Sequence, residues 1–217
     1  VPRRAALFDL DKTLLQANSG HLFMQFRRRR GEVGLRRMLQ VGFWLLQYSW
    51  GRVDAERVAR KVMGEYRGTP EKHLEELCEG WVESEVLPLI SPRARLVVKS
   101  HQSAGDLVAI VTSSTRYGTA PVARELGIEH VLCTELEVRE EIFTGEVVKP
   151  LCYGEGKVIR SRELLNEHGV SFSDATFYSD SVTDLPLMNL VGRAVAVNPD
   201  KGLRRYAQKQ GWAIEQW

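Results

Sequence analysis

Ala5-Ala-Leu-Phe-Asp-Leu-Asp-Lys-Thr-Leu14 decides the fold. Four apolar residues run without alternation and stop at two carboxylates, Asp9 and Asp11. A short unalternating run reads as a strand buried on both faces, and such strands belong to parallel sheets covered by helices. Three later runs repeat the plan. Leu107–Val111 ends in Thr112, Ser113 and Ser114; Ala175–Tyr178 ends in Ser179, Asp180 and Ser181; Ala194–Val197 ends in Asn198 and Pro199. Each carries its polar residues at its C-terminal end, where parallel sheets bind their ligands.

Helical signals separate these strands. Ser91-Pro92 is an N-cap with a first-turn proline, and Gly105 closes that helix. Thr119–Leu126 is stopped by Gly127, and Glu155–His168 by Gly169. The expectation is an α/β fold with a Rossmann-like parallel sheet core. Between Leu15 and Leu87 strand signals vanish, and Asp54 and Thr69-Pro70 mark further helix starts, so this stretch reads as a helical insert. The core then comprises residues 1–14 and 88–217, and the insert residues 15–87. Leu136-Glu-Val and Glu146-Val-Val read as a β-hairpin turning around Thr144-Gly145.

Composition narrows the function. The chain has 217 residues, 43% hydrophobic and 27% charged, which excludes wholesale disorder or a fibre. The net charge of +2 argues against a nucleic-acid binder. The charge is uneven. Residues 27–61 carry nine Arg and one Lys against Glu32, Asp54 and Glu56, which leaves −5 for the rest of the chain. Met38–Gly51 is free of charge, but its 14 residues fall short of the ~20 that a spanning helix needs. Arg27–Arg30 followed by Leu35–Trp50 has the makings of an interfacial helix, although a helix with a solvated arginine face is the commoner meaning. Cys78, Cys133 and Cys152 are odd in number and form no CxxC, so reduced, buried thiols in a cytoplasmic protein are expected. Ala5–Leu7 is too short for a secretory h-region.

The chemistry lies in the carboxylates. Asp9 and Asp11 leave one strand together, and Asp180 and Asp184 open the tip of another. Two such pairs meeting at strand ends make a hard-oxygen site of the kind Mg²⁺ prefers, with waters and substrate oxygens completing its shell. Thr112 adds a hydroxyl and Lys157 a positive charge. A nucleophile, a second carboxyl for proton transfer, a metal, a hydroxyl and a cation are the parts of phosphoryl transfer. An isolated Asp-x-Asp is most often a solvated turn. The coincidence of all these groups at successive strand ends is what carries the argument.

Phe8-Asp-Leu-Asp-Lys-Thr-Leu14 resembles the first motif of the haloacid dehalogenase superfamily. Ile110-Val-Thr112 resembles the second, Gly154-Glu-Gly-Lys157 the third, and Tyr178-Ser-Asp-Ser-Val-Thr-Asp184 the fourth. The insert resembles the small cap of the branch that contains phosphoserine phosphatase. The resemblance implies a Mg²⁺-dependent phosphatase acting on a small-molecule phosphomonoester. Asp9 would attack phosphorus and form an aspartyl-phosphate, and Asp11 would protonate the leaving alcohol and then activate water. Thr112, with Ser113 after it, would bind phosphate oxygens, and Lys157 would balance charge. Asp9, Asp11 through its carbonyl, and Asp180 would ligate Mg²⁺, with Asp184 in the metal's outer shell. Phosphotransfer to an alcohol and a non-catalytic phosphate-binding protein are the rival readings, and the intact Asp9–Asp11–Lys157–Asp180 set argues against the second.

Three residues depart from the family pattern. Ser179 and Lys12 stand where glycine is common. Asn18 stands where phosphoserine phosphatases carry the glutamate that meets the substrate ammonium, so Asn18 is a candidate substrate contact and phosphoserine is expected to be a poor substrate. A ring-bearing ester, histidinol phosphate being one, is expected to do better, stacking on cap aromatics such as Trp44, Tyr48 or Trp50. Glu32, Glu79 and Glu83 are the alternative acids for an ammonium, and His21 is read as a structural histidine.

Overall fold

The computed structural model of the chain describes residues 4–34 and 62–217. Its seven strands form one sheet in the order β4-β3-β2-β1-β5-β6-β7. Strand β1 (Ala5–Phe8) lies at the centre, parallel to β2 (Leu107–Thr115) on one side and to β5 (Ala175–Ser179) on the other. The sheet continues through β3 (His130–Arg139) beyond β2, and through β6 (Arg193–Val197) and β7 (Ala213–Glu215) beyond β5, all parallel. Only β4 (Ile142–Val148) is antiparallel, paired with β3. The chain builds one half of the sheet from β1 to β4 and then jumps back across β1 to start β5. That reversal opens a crevice at the carboxyl ends of β1 and β5, the usual ligand site of such sheets.

Both faces of the sheet are covered, which explains the unalternating strands. Ala6, Phe8, Val108, Ile110 and Val195 pack on one side, and Ala5, Leu7, Ala109, Phe177 and Ala196 on the other. Seven helices are described: α1 (Ser19–Arg29), α2 (Glu71–Trp81), α3 (Pro92–Ser103), α4 (Arg116–Leu126), α5 (Glu155–Glu167), α6 (Leu185–Met188) and α7 (Lys201–Gln210). Ser91 caps α3 by accepting from Ala94 N–H, as its sequence position indicates. Helix α4 starts three residues earlier than Thr119. The polar Thr112–Thr115 segment extends β2 rather than opening a loop.

The hairpin is where the sequence reading misplaces a turn. The reversal falls at Glu140-Glu141, both with positive φ (50° and 63°), and Thr144-Gly145 lies inside β4. Gly145, with φ 83°, sits where the ladder slips register between Leu136 and Val138, so it marks a bulge rather than a turn. The hairpin also supports the helical segment. Gly68 N–H donates to Phe143 O, Phe143 N–H to Thr69 O, and Glu71 N–H to Glu141 O. Leu74, Cys78, Tyr117, Leu136 and Phe143 form a separate small core there.

The basic run Arg27–Arg30 is folded onto acids of the same chain. Arg27 and Arg30 pair with Glu32, and Arg29 with Glu85. No described helix is long and apolar enough to cross a membrane. Leu35–Trp50, with Trp44, Tyr48 and Trp50, and the helix start expected at Asp54 lie outside the described residues. Cys78, Cys133 and Cys152 are buried and unlinked, and burial pushes each thiol up, to about 12, 11 and 12 respectively. They are therefore protonated and unreactive at neutral pH.

Candidate active site

Asp9 follows directly on β1. Its N–H still bonds Tyr178 O on β5, so the residue keeps an extended backbone (φ −67°, ψ 160°) and is held by the sheet. The chain then turns widely through Leu10–Leu14, closed by Leu15 N–H on Leu10 O, with Leu10 and Leu14 driven into the core. Lys12 takes a left-handed φ of 54° at the crest of this turn, which explains why glycine suits the position. The Asn198 amide at the end of β6 donates to Lys12 O and ties the turn down.

Lys157 reaches the same point from α5. A Cβ on Gly156 would lie 1.7 Å from Leu151 O, so only glycine lets this helix start so close to the preceding turn. Lys157 Nζ donates to Asp9 Oδ1 at 2.7 Å and to Asp184 Oδ2 at 2.8 Å, with all three side chains buried. Ser179, the departure before the fourth motif, donates to the same Asp184 oxygen at 2.6 Å. Asp184 is thus fastened from two sides, and it in turn fixes Lys157.

Asp9 and Asp184 bond Lys157 directly, and Asp11 and Asp180 lie close to Asp9. Burial pushes Asp9 up to about 7; the nearby Asp184 and Asp11 charges add to this, and Lys157 opposes it. Asp180 is pushed up to about 8, again chiefly by burial and then by Asp9. Burial raises Asp11 as well, against the hydrogen bonds of Ser19. Among the described residues no donor bonds the Asp180 carboxylate, so the cluster is short of positive charge. No three His, Cys, Asp or Glu side chains among the described residues close around one point, so there is no all-protein metal cage. Carboxylates that face an open cavity suit Mg²⁺, which keeps much of its own water shell.

These groups floor a cavity of about 340 Å³. Ser113, Ser114 and Thr115 line one wall. Thr112, expected to touch the ligand, is buried behind that wall, and its hydroxyl accepts Ser114 N–H at 3.1 Å. The far end is apolar and aromatic, formed by Phe23, Met24, Tyr66, Leu74, Cys78 and Trp81, with Phe23 and Trp81 in contact at 4.9 Å. Two charged residues reach this end. Arg27 lies over the Tyr66 ring and near Glu65 (3.9 Å), while also bonded to Glu32.

Asn18 lines the cavity, but its amide is turned to protein groups: Oδ1 accepts His21 N–H and Nδ2 donates to Asp11. None of the three alternative acids lines the cavity. Glu32 pairs with Arg27 and Arg30, Glu79 with Arg124, and Glu83 is exposed. His21 is exposed and bonds Gln25. Sequence reasoning missed Glu65, Arg27, Ser19 and Ser114. Glu65, Arg27 and Ser19 are brought in by packing between distant segments that spacing does not mark, whereas Ser114 lies on β2 and was legible only as a polar strand-end residue.

Comparison with known proteins agrees with the fold. Residues 6–189 match the family model for haloacid dehalogenase-like hydrolases. A histidinol-phosphatase of Neisseria meningitidis is 32% identical over 217 residues, covering 98% of each chain. A phosphoserine phosphatase of Mycobacterium tuberculosis is 34% identical over 216 residues, covering 97% of this chain and 70% of that one. The crystal structure of a Bordetella pertussis protein of unknown function is 35% identical and superimposes with a TM-score of 0.88 over 99% of both chains. With its motifs at the strand ends and its match over most of its length, the chain belongs to the haloacid dehalogenase-like hydrolase family and is an enzyme of the phosphatase kind.

Proposed function

We propose that the chain hydrolyses a small phosphomonoester, with Mg²⁺ bound, through an aspartyl-phosphate on Asp9. The observation that carries this reading is Lys157 fixed 2.7 Å from Asp9 on the floor of a cavity that Asp11 and Asp180 share. Asp9 attacks phosphorus, the bond from phosphorus to the alcohol oxygen breaks, and Asp11 gives that oxygen its proton. Water then attacks the phosphoryl group and passes a proton to Asp11, and the Asp9–phosphorus bond breaks to release phosphate. Burial, which raises the Asp11 carboxyl, favours the protonated form that the first step needs. Lys157 offsets charge on Asp9 and the phosphoryl oxygens, and Asp184 and Ser179 hold it in place. The Asp9 and Asp180 carboxylates, with the Asp11 carbonyl, would hold Mg²⁺, which would supply positive charge to offset the phosphoryl group. Residues 15–87 act as the cap and supply selectivity, and residues 1–14 and 88–217 supply the chemistry.

The favoured substrate is histidinol phosphate or a related ring-bearing alcohol phosphate. Phe23, Tyr66 and Trp81 offer faces for a ring, and Glu65 is an acid at the same end for an ammonium. Phosphoserine brings a carboxylate instead of a ring. The cation at that end, Arg27, is engaged by Glu32 at 3.2 Å and lies over the Tyr66 ring. A relative of full-length overlap named histidinol-phosphatase supports the same choice. The test is a panel of metabolite phosphates assayed with Mg²⁺ and with chelator. Histidinol phosphate should show a higher kcat/KM than phosphoserine, and only with metal. Phosphoserine at the head of the panel would overturn the substrate, and undiminished activity after exhaustive metal removal would overturn the mechanism.

A further inference from the structure

We infer that Asn18 is a positioning residue for Asp11, fixing the carboxyl that moves protons in the reaction proposed above, on which this inference rests. The Asp11 carboxylate, carried by the Leu10–Leu14 turn, meets the N-terminus of α1, and each of its oxygens has its own donor. Ser19 N–H donates to Oδ1 at 2.8 Å, and Asn18 Nδ2 donates to Oδ2 at 3.0 Å. The Asn18 amide has no freedom to reverse. Its Oδ1 accepts His21 N–H at 2.9 Å as the N-cap of α1. A flip would set NH₂ against that N–H and oxygen against the Asp11 carboxylate, two repulsions in place of two bonds. The helix start is itself anchored to the sheet, because Ser19 Oγ and Ser114 Oγ lie 3.0 Å apart.

Capping alone does not select asparagine. Serine and aspartate cap a helix about as well. What asparagine adds is a donor on the far side of the same group, and that donor meets Asp11. The serine hydroxyl has a single proton and is one bond shorter, so it can cap α1 without bridging to Asp11. An Asp11 carboxyl held at both oxygens keeps one orientation toward the leaving alcohol. Released at Oδ2, it rotates about its Cβ–Cγ bond, and small misplacements of a reacting group cost as much as ~100-fold in rate.

The experiment compares Asn18→Ser and Asn18→Ala with wild type on two esters. One is p-nitrophenyl phosphate, whose leaving group departs as a stable anion. The other is histidinol phosphate, or whichever alkyl phosphomonoester of the panel the wild type hydrolyses fastest, whose alkoxide must be protonated. The readout is kcat/KM, which reports steps up to loss of the alcohol; the later attack of water is common to both esters and shows only in kcat. Both variants should lose roughly 10- to 100-fold more on the alkyl ester than on the aryl ester. Only Asn18→Ala should lower Tm, by about 2–4 °C, because only it removes the cap. Asn18→Ser with wild-type selectivity overturns the inference and leaves Asn18 a helix cap. An equal loss on both esters overturns it too, since that is general damage. A wild type that hydrolyses neither ester overturns the proposed reaction itself, an outcome separable from the other two.

Discussion

Replacing Lys157 by methionine tests the charge balance at the centre of the site. The side chains are of similar length, so packing changes little, but the ammonium that bonds Asp9 at 2.7 Å and Asp184 at 2.8 Å is lost. Removing one partner of a buried ion pair costs about 3–5 kcal/mol, because the other is left buried and uncompensated. At ~2.1 cal/mol/K per residue, 217 residues give an unfolding entropy of about 0.46 kcal/mol/K, so Tm should fall by roughly 7–11 °C. The measurement is thermal unfolding in chelator, followed by circular dichroism from pH 5 to pH 8. Lys157 holds the Asp9 carboxyl down, so its removal lifts that group further above the ~3.9 of an unfolded aspartate. A carboxyl raised on folding binds more protons in the native state. The stability it retains below pH 4 is therefore lost as pH rises through the native value. The Tm deficit of Lys157→Met should accordingly be small at pH 5 and widest at pH 8. A deficit under 2 °C at pH 8, or one that shrinks as pH rises, would refute the reasoning.

Three other outcomes are expected. Asp9→Asn should abolish turnover without loss of Tm, and Asp11→Asn should cost ~10²–10⁴ in kcat/KM on an alkyl ester; steady-state kinetics with unfolding curves check both. Magnesium at 100 times its Kd should stabilise the protein by about 2.7 kcal/mol, roughly 6 °C in Tm, with Ca²⁺ a poor substitute for activity; an unmoved Tm would count against a metal between Asp9 and Asp180. Glu65→Gln should reduce the preference for histidinol phosphate over p-nitrophenyl phosphate about 5- to 30-fold, mostly through KM; an unchanged ratio would remove Glu65 from substrate recognition.

The strands were legible because burial on both faces leaves a direct trace. Ala5–Phe8, Ala175–Ser179 and Arg193–Val197 lie within a residue of where their apolar runs put them. Strand β3 was legible only in part, because its first three residues, His130–Leu132, are half-buried and carry no buried-strand signature. The hairpin turn was misread for a specific reason. Gly145 is the residue best suited to positive φ, and it does adopt it, but at a bulge. The turn fell instead to Glu140 and Glu141, which are poor formers of that conformation; the pairing of Glu71 N–H with Glu141 O holds that end of the hairpin in place.

The candidate site divides along the same physical line. Asp9, Asp11, Lys157, Asp180 and Asp184 were legible because strand ends and a helix start place them, and those positions follow from local pattern. Their partners were not legible, because a hydrogen bond between Ser179 and Asp184, or between Asn18 and Asp11, depends on side-chain direction rather than on spacing. Asn18 shows how this misleads. Its place in the chain suggested contact with substrate, and it does line the cavity, yet both ends of its amide are committed to α1 and Asp11. In the proposed function, recognition of a leaving-group ammonium falls instead to Glu65, which comes to the cavity beside Arg27 from a distant part of the chain. In a fold where the sheet fixes the chemistry, substrate choice rests on such contacts between α1 and the segment before α2. Substitutions there should move KM ratios between esters, whereas substitutions at Asp9 and Asp180 should lower kcat for every ester.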